Sequence, residues 1–126
     1  MKKVFTVLGC AVLAALTGCV STPIPPMDRR VTVAEDLGTS LYVTDVRCVK
    51  GDSGFATFQA NVVNNTRRPL RVDWKVVWLD GAGVEIEADD RPWFGTGIQP
   101  QEIAGLKQVA PSRDAADMRF YVKRAR

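Results

Sequence analysis

The feature that most constrains the fold is a strict alternation of apolar and polar residues in the second half of the chain. Five apolar side chains occupy every second position of one segment: Leu70, Val72, Trp74, Val76 and Trp78. Because successive side chains of a β-strand point to opposite faces, this period of two predicts a strand with one buried face. Val77 and Leu79 are apolar as well, so we expect the end of this strand to be covered on both sides.

Other segments give weaker signals of the same kind. Met118, Phe120 and Val122 alternate with polar residues and predict a half-buried last strand. Residues 39–49 and 55–64 are rich in β-forming residues, but the apolar positions of the first segment change phase near Asp45. A β-bulge, which inserts one extra residue into a strand, accounts for such a change.

The segments between these strands contain turn-forming residues. Residues 64–69 form a short polar loop, and Gly83 suits the left-handed position of a hairpin turn. Residues 112–117 predict a single helical turn with Ser112 as its N-cap. Several short strands with little helix predict an all-β fold, an immunoglobulin-like antiparallel β-sandwich, which we assign to residues 31–126.

The first residues of the chain predict a cleaved leader at residues 1–18. Lys2 and Lys3 precede an apolar stretch, Val4 to Leu16, that is too short to span a bilayer and suits a signal peptide. The stretch ends in Leu-Thr-Gly-Cys, which resembles the bacterial lipobox and implies that Cys19 is lipidated. The alternative is an ordinary secretory signal with an incidental cysteine.

Residues 19–30 then predict a proline-rich tether between the lipid and the domain. Because residue 20 is Val and not Asp, resemblance to such lipoproteins favours the periplasmic face of the outer membrane. The membrane is therefore the first partner that we expect, through the N-terminal lipid.

Composition and charge exclude several functions. The chain has no histidine, which removes the commonest general base and the commonest zinc ligand. Removing Lys2 and Lys3 from the 17 basic residues leaves 15 against 14 acidic residues. A domain this close to neutrality gives no indication of nucleic-acid binding. Cys48 is the one cysteine beyond Cys19, and we favour its burial over a redox role.

Several sequence runs resemble the YcfL-like family of small bacterial lipoproteins. They are residues 63–66, 70–80 and 83–85, Trp93, Ala110-Pro111 and Phe120-Tyr121-Val122. The resemblance implies an immunoglobulin-like β-sandwich on a periplasmic lipoprotein, and it brings no established catalytic residue. Some family members are thought to be encoded beside activators of peptidoglycan synthases, which implies work on the cell wall.

The acidic and glycine-containing segments are only weak evidence for a catalytic, metal-binding or phosphate-binding site. Glu85 and Glu87 lie two residues apart, as carboxylates that hydrolyse a wall polymer would require, but alternating glutamates are usually a solvated strand face. Asp89 and Asp90 lack the spacing of a calcium loop, and Gly95-x-Gly97 is too short for a phosphate loop. We therefore predict no catalytic residue, no metal and no cofactor.

Contact with a partner is a better supported role for the remaining residues. Trp93 and Phe94 follow Pro92 in a segment that looks like a loop, and Arg67 and Arg68 lie on a turn. We predict these four residues as contacts with another envelope component. The expected function is a non-catalytic binding or accessory module of the cell envelope. The alternatives are a regulatory accessory of peptidoglycan synthesis, with a component of that machinery as partner, and a wall-polymer hydrolase.

Overall fold

The computed structural model describes residues 26–86 and 92–126, and its strands form two packed sheets. One sheet has the order β1-β7-β4-β5, and the other has the order β2-β3-β6. The strands are β1 (Val31–Val33), β2 (Leu41–Lys50), β3 (Ala56–Asn64), β4 (Leu70–Leu79), β5 (Phe94–Ile98), β6 (Ile103–Val109) and β7 (Asp117–Arg124). All pairs are antiparallel except β1 with β7, which is parallel. The all-β sandwich that the sequence predicts is confirmed.

The core lies where the alternation places it, between the inner faces of the two sheets. The five alternating apolar residues of β4 are all buried, and so are Met118, Phe120 and Val122 of β7. From the opposite sheet Phe58 stacks on Phe120 with 5.0 Å between ring centroids. Val77 and Leu79 are also buried, so both faces of β4 are covered at its end.

The change of phase in β2 is a bulge, as the sequence predicts. Thr44 pairs with Asn61 and Arg47 pairs with Gln59, so two residues of β2 face one residue of β3. Asp45 has a φ of 53° there, and its carboxylate accepts a hydrogen bond of 3.0 Å from the Asn61 amide. The extra residue keeps the apolar positions on both sides of the bulge directed at the core.

The one fully buried polar side chain among the described residues, Asn64, ties the loop after β3 to β5. Its amide nitrogen donates to the carbonyl oxygens of Arg68, at 2.8 Å, and Ile98, at 2.9 Å. Its amide oxygen accepts from the backbone N–H and the hydroxyl of Thr66. All four hydrogen-bonding positions of the amide are therefore used, which offsets the cost of its burial.

The residues before β1 are joined to the sandwich by an ion pair. Arg30 contacts the Asp28 carboxylate at 2.9 Å and lies 3.7 Å from Asp117 on β7. The side-chain hydrogen bond from Arg30 is the main cause that lowers the pKa of Asp28 to about 2. Cys48 packs against the core but is only half-buried, and this burial raises the pKa of its thiol.

Two predictions of local structure need correction. Residues 112–117 contain an isolated turn and not a helical one: the Ala115 N–H donates to the Ser112 carbonyl, and Asp117 already begins β7. The Ser112 hydroxyl does accept from the Asp114 N–H, as a cap would. A short 3-10 helix lies instead at Glu35–Leu37, where Leu37 inserts into the core.

The segment at Phe94 is a strand and not a loop. Residues Phe94–Ile98 pair with Trp74 to Leu70 of β4, so Gly95 and Gly97 belong to an edge strand. The sequence hides this strand because glycines have no side chain to give a hydrophobic period. Gly83 has a φ of 81°, which confirms the left-handed position predicted for the turn after β4.

Candidate functional site

Trp93 lies on the outer face of the four-stranded sheet, just before β5. Phe94 pairs with Trp74, so the next pair along the ladder places Trp93 opposite Lys75. The Trp93 side chain is 37% exposed, whereas Trp74 and Trp78 are 7% and 0% exposed. Of the three tryptophans, Trp93 is therefore the one that a partner can reach.

Two lysines lie over the Trp93 ring. The Nζ atom of Lys123 is 4.1 Å from the ring centroid, and that of Lys75 is 4.8 Å away. Lys75 is also 5.5 Å from the Tyr121 ring. Such cation–π contacts are worth about 0.5–1 kcal/mol each at exposed sites, enough to hold the indole in one orientation.

The strand order shows that Trp93 and Lys123 meet above a strand that belongs to neither. Lys75 is on β4, next to β5, but Lys123 is on β7, which is the second strand from β5. Because neighbouring strands lie about 4.8 Å apart, the Trp93 and Lys123 side chains together span the width of β4. The three side chains therefore form one cluster across β5, β4 and β7.

A groove lies on the same outer face, and the nearest residue of its lining, Gly95, is two residues from Trp93 along the chain. It has a volume of about 490 Å³ and is lined by Arg71, Asp73, Gly95, Arg126 and neighbouring backbone. A Cβ atom built on Gly97 would meet nothing within 4 Å, and one on Gly95 would touch only the Asp73 carboxylate, at 3.5 Å. The two glycines therefore leave room above the edge strand. We call Trp93, Lys75, Lys123, Arg71, Asp73 and Arg126 together the Trp93 face.

Phe94 points away from the Trp93 face. Its pairing partner is Trp74, whose side chain belongs to the core, and the two ring centroids are 5.1 Å apart. Phe94 is nevertheless 41% exposed, because it lies at the open end of the edge strand. The two predicted aromatic contacts therefore lie on opposite sides of β5.

Arg67 and Arg68 lie at a different place from Trp93. Both are exposed in the loop between β3 and β4, next to the Asn64 amide. Lys75, under Trp93, lies five positions after Leu70, at this loop, which is a distance of about 16 Å along β4. The four residues predicted as contacts therefore do not form one site, and their role as contacts stays a prediction.

Sequence reasoning missed Lys75 and Lys123 as neighbours of Trp93. They are separated from it in the chain and meet it only through the pairing of β5, β4 and β7. The available signal was their position on the polar side of two predicted strands. That signal gives the face of each strand but not which strands are adjacent.

The other candidate residues gain no support as a site. Glu85 is exposed and faces Leu79 in an isolated bridge, while Glu87, Asp89, Asp90 and Cys19 lie outside the described residues. In residues 26–86 and 92–126 no group of acidic or cysteine side chains is arranged to hold a metal ion. None of the helices in that part of the chain has the length and apolarity needed to cross a membrane.

Comparison with known proteins places this fold among a set of uncharacterised domains. The crystal structure of Campylobacter jejuni cj0090 is 21% identical, with a TM-score of 0.67, over 78% of this chain and 100% of that chain. That of a DUF1425 family member from Shewanella sp. pv-4 is 19% identical, with a TM-score of 0.61, over 68% of this chain and 78% of that one. No curated protein matches the chain. A family model described as "Protein of unknown function (DUF1425)" matches residues 28–124, well over half of the chain, which therefore belongs to the DUF1425 family.

Proposed function

We propose that this protein is a lipoprotein held at the periplasmic face of the outer membrane through Cys19, and that its β-sandwich is a non-catalytic binding or accessory module of the cell envelope. The support for the anchor is the sequence: a basic start, a short apolar stretch and the Leu-Thr-Gly-Cys motif. Within the DUF1425 family we group the chain with the YcfL-like lipoproteins. This grouping rests on the sequence runs they share.

One observation carries the binding role: Trp93 is exposed although tryptophan is usually buried, and two lysines hold it on a sheet face. Tryptophan is among the residues that most often carry the binding energy where proteins bind partners. A binding module at this place in the envelope would lie close to the peptidoglycan. The more specific form of the proposal is therefore that the protein is a regulatory accessory of peptidoglycan synthesis.

Photocrosslinking in living cells tests the binding role. A photoreactive amino acid at position 93 is expected to capture an envelope component. The matched control is position 49, because Val49 is exposed at 58% on the outer face of the other sheet. Capture from position 49 without capture from position 93 would contradict the proposal.

Metabolic labelling with palmitate tests the anchor. The wild-type chain is expected to incorporate the label, and Cys19→Ser is expected to lose it completely. Cys48→Ser is the control, because it removes a thiol that belongs to the folded domain. An unlabelled wild-type chain, or a label that survives Cys19→Ser, would show that the protein is anchored in another way or not at all.

A further inference from the structure

We propose that the Trp93 face binds an acidic glycan, that is, a saccharide chain that carries carboxylate groups. This inference rests on the proposed function in one respect, since it takes the Trp93 face as the contact site. It adds the chemical class of the ligand.

The charges of the Trp93 face select an anion. Four of its side chains are cationic, namely Lys75, Lys123, Arg71 and Arg126, and one, Asp73, is a carboxylate. An aromatic ring attracts an ammonium group but has no net charge, so the contacts to Trp93 position the lysines without neutralising them. No carboxylate of the described residues forms an ion pair with either lysine. The site is therefore positively charged and already ordered before a ligand arrives.

The aromatic ring and the groove select a saccharide among anions. The part of the Trp93 indole that the two lysines leave exposed is an apolar surface with a polar edge, which suits the C–H groups of a sugar ring. Gly95, which lines the groove, is two residues from Trp93 on the same face of β5, about 7 Å away, so a saccharide of two or more linked units can contact both. A groove with a few convergent polar groups beside an exposed aromatic ring therefore offers a saccharide both kinds of contact that ligand sites use.

Asp73 argues against a uniformly anionic ligand. Its carboxylate lies in the middle of the groove, beside Gly95, and can only accept hydrogen bonds when ionised. A bilayer of anionic lipids or an acidic peptide would bring further negative charge against it. A glycan offers hydroxyl groups that donate to Asp73 and carboxylates that meet the lysines.

The outer face of the other sheet provides a matched control. There Arg47, Gln59 and Lys107 lie side by side across three strands, next to a hollow of about 370 Å³. Two cations, Arg47 and Lys107, line this hollow, and neither lies over an aromatic ring of the described residues, whereas Lys75 and Lys123 both lie over Trp93. Removing Arg47 and Lys107 therefore removes two positive charges, as removing Lys75 and Lys123 does, without affecting the Trp93 face.

Titration calorimetry with the purified full chain tests the inference. The probe is trigalacturonic acid, which carries a carboxylate on every sugar, and the neutral comparison is maltotriose. We expect the acidic probe to bind at least about tenfold more tightly, with affinity falling as salt is added. Trp93→Ala, and separately the pair Lys75→Gln and Lys123→Gln, are each expected to weaken binding by about tenfold. The pair Arg47→Gln and Lys107→Gln is expected to leave it unchanged.

A substitution that fills the groove separates shape from charge. Gly95→Val adds a side chain at a residue that lines the groove without a change of charge, and valine is favoured in strands. We expect it to weaken binding of trigalacturonic acid by about fivefold or more, since the groove is then occupied. Unchanged binding would mean that the acidic probe does not use the groove, and the inference would be wrong.

Two further probes identify what else the face would accept. A glutamate hexapeptide or phosphatidylglycerol vesicles that bind as tightly as trigalacturonic acid would overturn the choice of a glycan. If neither saccharide binds but position 93 still captures an envelope component in cells, the glycan inference fails and the proposed function stands. If position 93 captures nothing as well, both fail.

Discussion

The interior of the sandwich and the outer face of the four-stranded sheet use the same residue type in opposite ways. Trp78 is fully buried among apolar side chains, whereas Trp93 lies on the surface under two ammonium groups. Burial of apolar area stabilises the first, and weak electrostatic contacts hold the second. The difference indicates that the core specifies the fold, while the outer face contributes little to stability and remains accessible.

The largest expected effect is the loss of a core tryptophan. Trp78→Ala should lower the free energy of unfolding by about 4 kcal/mol, because it leaves a large cavity in the core. Trp93→Ala should lower it by less than about 1 kcal/mol. Urea unfolding of both variants measures the contrast.

A third variant refines this first test. The Trp78 indole N–H has no acceptor among the described residues, so Trp78→Phe loses no hydrogen bond there. It should cost no more than about 2 kcal/mol. Equal losses for Trp78→Ala and Trp93→Ala would mean that the two regions do not differ as we describe.

The second effect concerns the polar group inside the interior. Asn64→Leu should lower the free energy of unfolding by about 3 kcal/mol, because it leaves the buried Ile98 carbonyl and the other partners of the amide without hydrogen bonds. Asn65→Ala is the control: that side chain is exposed and makes one long bond of 3.3 Å. It should change stability by no more than about 0.5 kcal/mol. Urea unfolding measures both variants. If Asn64→Leu and Asn65→Ala lowered the free energy of unfolding by similar amounts, Asn64 would not have this special role.

The third effect depends on pH and concerns the ion pair between Asp28 and Arg30, just before β1. The pKa of Asp28 is lowered from 3.8 to about 2 by Arg30, so its carboxylate stabilises the fold above pH 3.8 and loses this effect as pH falls through about 2. Asp28→Asn should cost about 1 kcal/mol at neutral pH, after allowance for the 31% exposure of the carboxylate.

Urea unfolding across this pH range measures the effect of the ion pair. The difference between wild type and Asp28→Asn should shrink between pH 4 and pH 2. The exposed Asp52, changed to Asn, is the control and should show no comparable pH-dependent difference. A difference that stays constant down to pH 2 would show that the loss has a cause other than charge.

The smallest effect concerns the charge around Trp93 and not stability. Iodide should quench the fluorescence of Trp93, because Lys75 and Lys123 attract the anion. Changing both lysines to Gln should lower iodide quenching by about twofold at low salt. Quenching by neutral acrylamide should be the same in both proteins. A parallel fall with acrylamide would mean that the ring has become covered, and not that the charge has been lost.

The strands with the clearest alternation could be predicted from the sequence because burial on one face imposes a period of two. This holds for β4 and β7, and the change of phase at Asp45 even located the bulge. β5 could not be predicted in this way, because Gly95 and Gly97 carry no side chain and Phe94 is exposed. The 3-10 helix was missed since three residues are too few to display a period.

The candidate site was predicted only in part. Trp93 stood out as an aromatic residue outside any strand pattern, but its lysine neighbours depend on which strands pair. Strand order is decided by packing over the whole sandwich, so one segment of sequence does not contain it. The same reason explains why Arg67 and Trp93, both predicted as contacts, lie far apart.

The parallel pairing of β1 with β7 has a mechanical consequence. Since β1 is the first strand of the domain and runs alongside the last, a force applied ahead of Asp28 pulls β1 along its own axis. The backbone bonds that join Val31–Val33 to β7 are then sheared together and do not open one at a time. The Arg30 bridge to Asp28 and Asp117 lies at the loaded end, where it shares the strain. Such a shear geometry resists tension at this end of the domain better than bonds that open in sequence would.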